Sequence, residues 1–323
     1  MKRPCLASAL LFPLLFAFGP AHAAEYPTKP LRLIVPFAPG GAADVLARVV
    51  SEQLQRDLGR PIVIVNREGA GTIIGVEAAA KATPDGYTLL LSGDAATINT
   101  ASGRALPYDL MKDLKPVTLV FSGPQFVLVG AKDTRFNSLH DLVKLAKATP
   151  GALKFGTSGV ATAIHLSTET INAAAGIKAI HVPYRGVAPA MTNLAGGHVD
   201  YVIAGAAAAV PGVQSGQFKA LAITTRARSP ALPQVPTLTE QGVAAETGSW
   251  YGLLAPARTP PEIVKRLNAA MIVALKSPEV VERLKALGGE PRPMSPEQAA
   301  DFMRGEVTRA AALMRKLDIK VTD

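Results

Sequence analysis

Residues 31–59 read LRLIVPFAPGGAADVLARVVSEQLQRDLG, and this stretch decides the fold class. Leu31, Leu33, Ile34 and Val35 form a short apolar run suited to a strand buried on both faces. Pro39, Gly40 and Gly41 break that run. Val45, Leu46, Val49, Val50 and Leu54 then recur at helical spacing, and Gly59 is a natural stop. A strand that enters a helix through glycines leaves backbone N–H groups free at the helix start. The helix dipole adds partial positive charge there, which suits an anion such as a carboxylate or phosphate. The plainer reading is that Gly40 and Gly41 only permit a tight turn in an α/β domain, and both stay open at this point. The stretch lacks the G-x-G-x-x-G spacing of a dinucleotide site and the G-x-x-x-x-G-K-S/T of a phosphate loop.

Outward from this unit, the N-terminus reads as an export signal. Met1-Lys2-Arg3 supplies positive charge, Leu6 to Phe18 an apolar core, and Ala21-His22-Ala23 a small-x-small cleavage site. Residues 1–23 are therefore expected to be removed, leaving about 300 residues, ample for two domains. The single cysteine, Cys5, leaves with them. The mature chain then has no disulfide, thiolate metal site or cysteine nucleophile. Removing Lys2 and Arg3 lowers the formal charge from +9 to +7, and the remaining basic residues are scattered. No basic stripe with interleaved aromatics argues for nucleic acid, and no later segment has the apolar length of a membrane span.

Strands and helices alternate along the chain. Strands are expected at 61–65 and 87–91, with a helix over 72–81; Ser92-Gly93-Asp94 reads as a polar loop at a strand end. Ligands of open parallel sheets bind beyond such ends, so Gly40, Gly41 and Ser92 should share one crevice. A second set follows, with strands at 126–129, 154–155, 180–182, 199–203 and 220–224 and helices over 139–148, 162–175 and 189–195. Gly156-Thr157-Ser158-Gly159 repeats the opening strand–turn–helix design. Helices over 261–276, 278–287 and 296–317 each open on proline, as first helical positions prefer. Trp250-Tyr251 is expected to return the chain to the first domain. The domains then run 24–123 with 251–323, and 124–250, crossing near Gly123–Gln125 and Ser249–Tyr251.

Enzyme motifs are weak. His140, His165, His181 and His198 include no H-E-x-x-H pattern, and Val160 stands where a nucleophile elbow around Ser158 needs its second glycine. No catalytic residue, cofactor or metal is assigned. Thr157, Ser158 and Thr162 crowd the start of a helix that carries His165, a cluster that reads equally as an anion site or as a capped helix with a packed histidine. Arg185 reads as a carboxylate clamp or as a surface partner.

Val35-Pro36-Phe37-Ala38-Pro39-Gly40-Gly41-Ala42-Ala43-Asp44 resembles the opening signature of Bug-type solute-binding proteins, which serve tripartite tricarboxylate transporters. Asn66-Arg67-Glu68-Gly69-Ala70-Gly71, Pro84-Asp85-Gly86-Tyr87, Gly156-Thr157-Ser158-Gly159, Val182-Pro183-Tyr184-Arg185-Gly186 and Gly196-Gly197-His198-Val199-Asp200 continue the resemblance along the mature chain. It implies a two-lobed α/β fold of the periplasmic-binding-protein type (type II, Venus flytrap), each lobe a mixed sheet flanked by helices. It further implies a monomeric periplasmic protein without enzymatic activity. Such a protein captures a small organic carboxylate by hinge closure and delivers it to membrane permease subunits. On that pattern Phe37, Gly40, Gly41, Ala42, Asp44, Ser92 and Asp94 contact ligand from one lobe. Thr157, Ser158, Gly159, Thr162, His165, Tyr184 and Gly205 face them from the other. Asp94 departs from the small or hydroxyl residue expected there, and an acid would repel a second carboxylate or receive an amine or hydroxyl. A secreted α/β hydrolase acting on a carboxylate ester or amide, and a ligand-presenting sensor, are the alternatives.

Overall fold

A computed structural model describes residues 26–37, 39–184 and 186–316; the expectations placed on residues 1–25, Ala38, Arg185 and Leu317 lie outside them. The opening unit forms as expected, with β1 (Leu31–Val35), α1 (Ala42–Leu58) and β2 (Ile62–Asn66). Gly59 ends α1 in the left-handed conformation (φ 65°), and its N–H closes on the Gln55 carbonyl. Leu46, Val49, Val50 and Leu54 are at most 1 % exposed on the inner face of α1. Burial of this kind contributes about 1.5–3 kcal/mol per side chain.

The first lobe continues with α2 (Ile73–Ala80), β3 (Thr88–Gly93), α3 (Asp94–Ala101), α4 (Leu110–Asp113) and β4 (Leu114–Gly123). The second set holds β5 (Gln125–Gly130), α5 (Leu139–Ala148), β6 (Lys154–Thr157), α6 (Ala163–Ala175), β7 (Ile180–Pro183), α7 (Val187–Ala195), β8 (Tyr201–Gly205), α8 (Ala206–Gln214) and β9 (Phe218–Ile223). The chain ends with β10 (Ser249–Pro256), α9 (Pro261–Lys276), α10 (Pro278–Ala286), β11 (Glu290–Pro291) and α11 (Pro296–Lys316).

Two mixed sheets result, ordered β11-β4-β10-β3-β1-β2 and β7-β6-β8-β5-β9. In each, parallel strands from βαβ units adjoin antiparallel strands near the crossings. This is the expected two-lobed α/β architecture. The chain leaves the first sheet at Gly123 and re-enters it at Ser249, which pairs with Gly123. The two crossing segments are tied side by side. Gln125 N–H donates to the Thr224 hydroxyl (3.0 Å), Thr224 N–H to the Gln125 carbonyl (3.0 Å), and the Thr224 hydroxyl to the Thr247 carbonyl (2.8 Å).

One expectation changes here. Ser92-Gly93-Asp94 is not a loop: β3 runs through Gly93, and Asp94 is the first residue of α3. Ser92 and Gly93 pair with Gly252 and Tyr251, so β10 continues the sheet to the very end of β3. A Cβ on Gly93 would lie 2.1 Å from the Trp250 carbonyl oxygen, so only glycine admits β10 this closely.

The lobes also touch beyond the crossings. Ile98 of α3 and Met314 of α11 pack with Ala161 and Leu166 of the second lobe. Elsewhere on the boundary, a Cβ on Gly288 would come within 2.3 Å of the Ala206 Cβ, so the turn after α10 lies directly against the start of α8.

Candidate functional site at the lobe boundary

The turn before α1 is built around Asp44, whose side chain is 3 % exposed. Its carboxylate accepts the Gly40 N–H (2.9 Å), Arg48 Nε and Nη2 (2.9 and 3.2 Å) and Asn66 Nδ2 (3.0 Å). Asn66 Nδ2 also reaches the Phe37 carbonyl at 3.0 Å, tying the end of β2 to the turn. Hydrogen bonding from Arg48 holds the Asp44 carboxyl down at about 2, against the upward push of burial. The carboxylate thus takes the N–H of Gly40, one residue before the Gly41 cap, and α1 itself has no side-chain cap. Gly40, at φ 78°, Gly41 and Ala42 remain exposed. Phe37 stands edge-on to Tyr251, ring centroids 6.0 Å apart, and Tyr251 leans on Phe121 at 6.2 Å.

At the end of β3, Ser92 is 1 % exposed, with no hydrogen-bond partner for its hydroxyl among the described residues. The Asp94 carboxylate takes the backbone N–H groups of Ala95 and Trp250; burial nevertheless raises it to about 6. Tyr251 is pushed well above its ordinary range, by burial first and by the Asp94 charge second.

The second-lobe loop hangs on two stacked imidazoles. His165 and His181 lie with ring centroids 3.8 Å apart, and Phe155 stacks on His181 at 5.0 Å. His165 Nδ1 accepts the Ala161 N–H (3.0 Å), which puts its proton on Nε2, 3.9 Å from Glu169 Oε1. Burial, with His181 beside it, lowers His165 to about 4, and burial also lowers His181. His181 Nε2 is 2.6 Å from the Thr157 hydroxyl, which also receives the Gly159 N–H (3.2 Å). The Ser158 hydroxyl donates to Thr162 Oγ1 (3.0 Å), and Thr162 caps α6 by accepting the His165 N–H (3.3 Å). A capped helix over a packed histidine is thus present in the geometry.

Tyr184 lies over Gly156, where a Cβ would meet its ring at 3.3 Å, and its N–H donates to the Thr157 carbonyl (3.0 Å). α7 starts at Gly186 and α8 at Gly205, neither with a side-chain cap. Two cavities open on the boundary. The larger, about 620 Å³, includes Asp94, Trp250, Arg292, Phe302 and the α6 residues Ser167 and Thr170. The smaller, about 110 Å³, lies among Ala42, Phe121, Gly205, Ala206, Tyr251 and Gly288.

Of the residues anticipated from sequence, Asp94 reaches the larger cavity, and Ala42 and Gly205 the smaller. Phe37, Gly40, Gly41, Asp44, Ser92, Thr157, Ser158, Gly159, Thr162, His165 and Tyr184 line neither. Asp44, Thr157 and His165 use their polar atoms internally to shape the turns. Sequence reading missed Tyr251 and Arg292. The aromatic pair at the crossing was a signal for the first, and no motif marks the second.

A family profile described as "Tripartite tricarboxylate transporter family receptor" (TctC) matches residues 46–319. Protein BugT of Bordetella pertussis is 38 % identical over 306 residues, covering 94 % of each chain. Among solved structures, R. palustris Rpa4515 with adipate superposes with a TM-score of 0.79 at 34 % identity, covering 92 % of this chain and 99 % of that one. MatC (Rpa3494) from Rhodopseudomonas palustris with bound malate gives 0.74 at 32 % identity, covering 89 % and 99 %. The chain belongs to the tripartite tricarboxylate transporter receptor family of solute-binding proteins.

Proposed function

We propose that this family member captures a small organic carboxylate between its two lobes and delivers it to the permease subunits of a tripartite tricarboxylate-type transporter. The observation that carries the reading is the placement of the turns. Strand ends of both sheets meet at the boundary, Asp94 with α6 residues in one cavity and Ala42 with Gly205 in the other, and the crossing segments at Gly123–Gln125 and Thr247–Ser249 are tied side by side. That construction suits hinge motion, in which ligand shifts the population toward a closed form. The adipate and malate carried by two related structures support a carboxylate as the ligand class.

The lobes are assigned to residues 24–123 with 251–323, and to residues 124–250, after export and removal of 1–23. The protein acts in the periplasm as a monomer and does no covalent chemistry. The Ser158 hydroxyl donates to Thr162, and His165 Nδ1 is occupied by a backbone N–H, which leaves Ser158 without a base and weighs against a hydrolase. The test is a thermal-shift panel of mono-, di- and tricarboxylates on the cleaved protein. At least one acid is expected to raise the melting temperature in a concentration-dependent way. No shift with any of them, or turnover of an ester or amide, overturns the reading.

A further inference from the structure

The ionic groups of the larger boundary cavity are mostly paired within its own wall. Arg226 meets Glu246 at 2.7 Å, and Arg309 is paired with Glu306. Two groups are left over. The Arg292 guanidinium lies 4.7 Å over the Phe302 ring and has no carboxylate partner among the described residues. Asp94 takes two backbone N–H groups but no cation. In the same lining Trp250, 3 % exposed, sits edge-on to Phe302 at 5.3 Å, and its indole N–H has no partner among the described residues. The lining of a cavity of about 620 Å³ thus includes one carboxylate without a cation and one guanidinium without a carboxylate among the described residues.

We infer that this cavity reads the far end of the ligand, and that the ligand is an amino acid or similar small zwitterion whose ammonium meets Asp94 and whose carboxylate meets Arg292. The inference rests on the interlobe-capture reading above and narrows it. A plain dicarboxylate would set one anion against Asp94, whereas an ammonium forms a charge-assisted hydrogen bond with it. Burial already disfavours the charged form of Asp94, so a cationic partner satisfies a group that the protein leaves uncompensated. The planar guanidinium of Arg292, held over Phe302, offers a fork that fits a carboxylate bidentately.

The test is isothermal titration of the cleaved protein with matched pairs: aspartate and succinate, glutamate and glutarate, leucine and 4-methylpentanoate. At least one amino acid is expected to bind about tenfold or more tightly than its partner lacking the amine. Asp94→Asn should erase that preference. Arg292→Gln should weaken the amino acid about tenfold, and Arg292→Lys should recover only part of the loss, because an ammonium keeps the charge but lacks the bidentate fork. Melting curves establish that each variant is folded. The inference is overturned if the des-amino acids bind as tightly, or if the preference survives Asp94→Asn. Binding of plain acids alone would sink this inference and leave interlobe capture standing, whereas no binding by either class would remove both.

Discussion

The two lobes use one design with opposite electrostatics. In the first, the opening helical turns at the boundary carry carboxylates, Asp44 in α1 and Asp94 at the head of α3. In the second, α6 is capped by the neutral Thr162 hydroxyl, while α7 and α8 begin at Gly186 and Gly205 with no side-chain cap. The histidines beneath the second loop are kept neutral, so that loop is shaped without placing a charge next to it. The difference separates two tasks. One lobe places carboxylates in its boundary turns, and the other places neutral hydroxyls and imidazoles there.

The largest expected effect breaks the first lobe's turn. Asp44→Asn should lower the unfolding free energy at pH 7 by about 2 kcal/mol, measured by chemical denaturation. The Asp44 carboxyl sits below its ordinary value, so this contribution is complete above that value. It should fade as pH falls toward about 2. A variant as stable as the parent at pH 7 would mean that the network around Gly40 is not holding the turn. Next in size, Ala206→Leu places a larger side chain where α8 meets Gly288. Overpacking costs about 1–3 kcal/mol, and the part of it that falls on the closed form lowers affinity for any ligand, by roughly 5- to 150-fold at the full cost. Unchanged affinity would show that closure does not proceed along this face.

Thr162→Ala should cost about 1 kcal/mol of stability through the lost cap of α6, read from the same denaturation curves. A loss well above that would reveal a second duty for the hydroxyl, such as orienting Ser158. The smallest effect is a cancellation. His165, lowered to about 4, makes the fold lose stability as pH falls from its ordinary value through 4. Asp94, raised to about 6, works the other way. The penalty of its charge is present above 6 and is relieved as pH falls toward the ordinary carboxylate range. Between pH 6.5 and 4 the two should leave a net change below about 1 kcal/mol in the parent, and Asp94→Asn should uncover a steeper acid loss. Parallel pH–stability curves for parent and variant would contradict the paired assignment.

Local rules made much of the fold legible. The helix expected over 139–148 appears over those residues because Ser138 and Asp141 form a capping box, and Pro261 and Pro278 open α9 and α10 where expected. Tertiary packing hid the rest. No element is expected over α8 (AAAAVPGVQ), which carries Pro211 and Gly212, yet Ala206 and Ala209 are buried in the second-lobe core. A Cβ on Gly212 would lie 2.5 Å from the Phe218 ring. β4 contains Pro116, which argues against a central strand, and tolerates it next to a register shift against β10. At the site, the glycine turns were visible in sequence, because the backbone conformation they need is local. The hold of Asn66 on Asp44, and the placement of Arg292 in one cavity wall with α6, depend on elements distant in the chain, so spacing alone could not carry them.

The central claim is that the boundary between the lobes holds a small acid. Native mass spectrometry of the exported protein, isolated without denaturation, tests it most directly. The account predicts a one-to-one complex that releases a small carboxylate bearing an amine when the protein is unfolded. A protein that is empty and takes up no acid on addition, or one carrying a covalent adduct on Ser158, would contradict it.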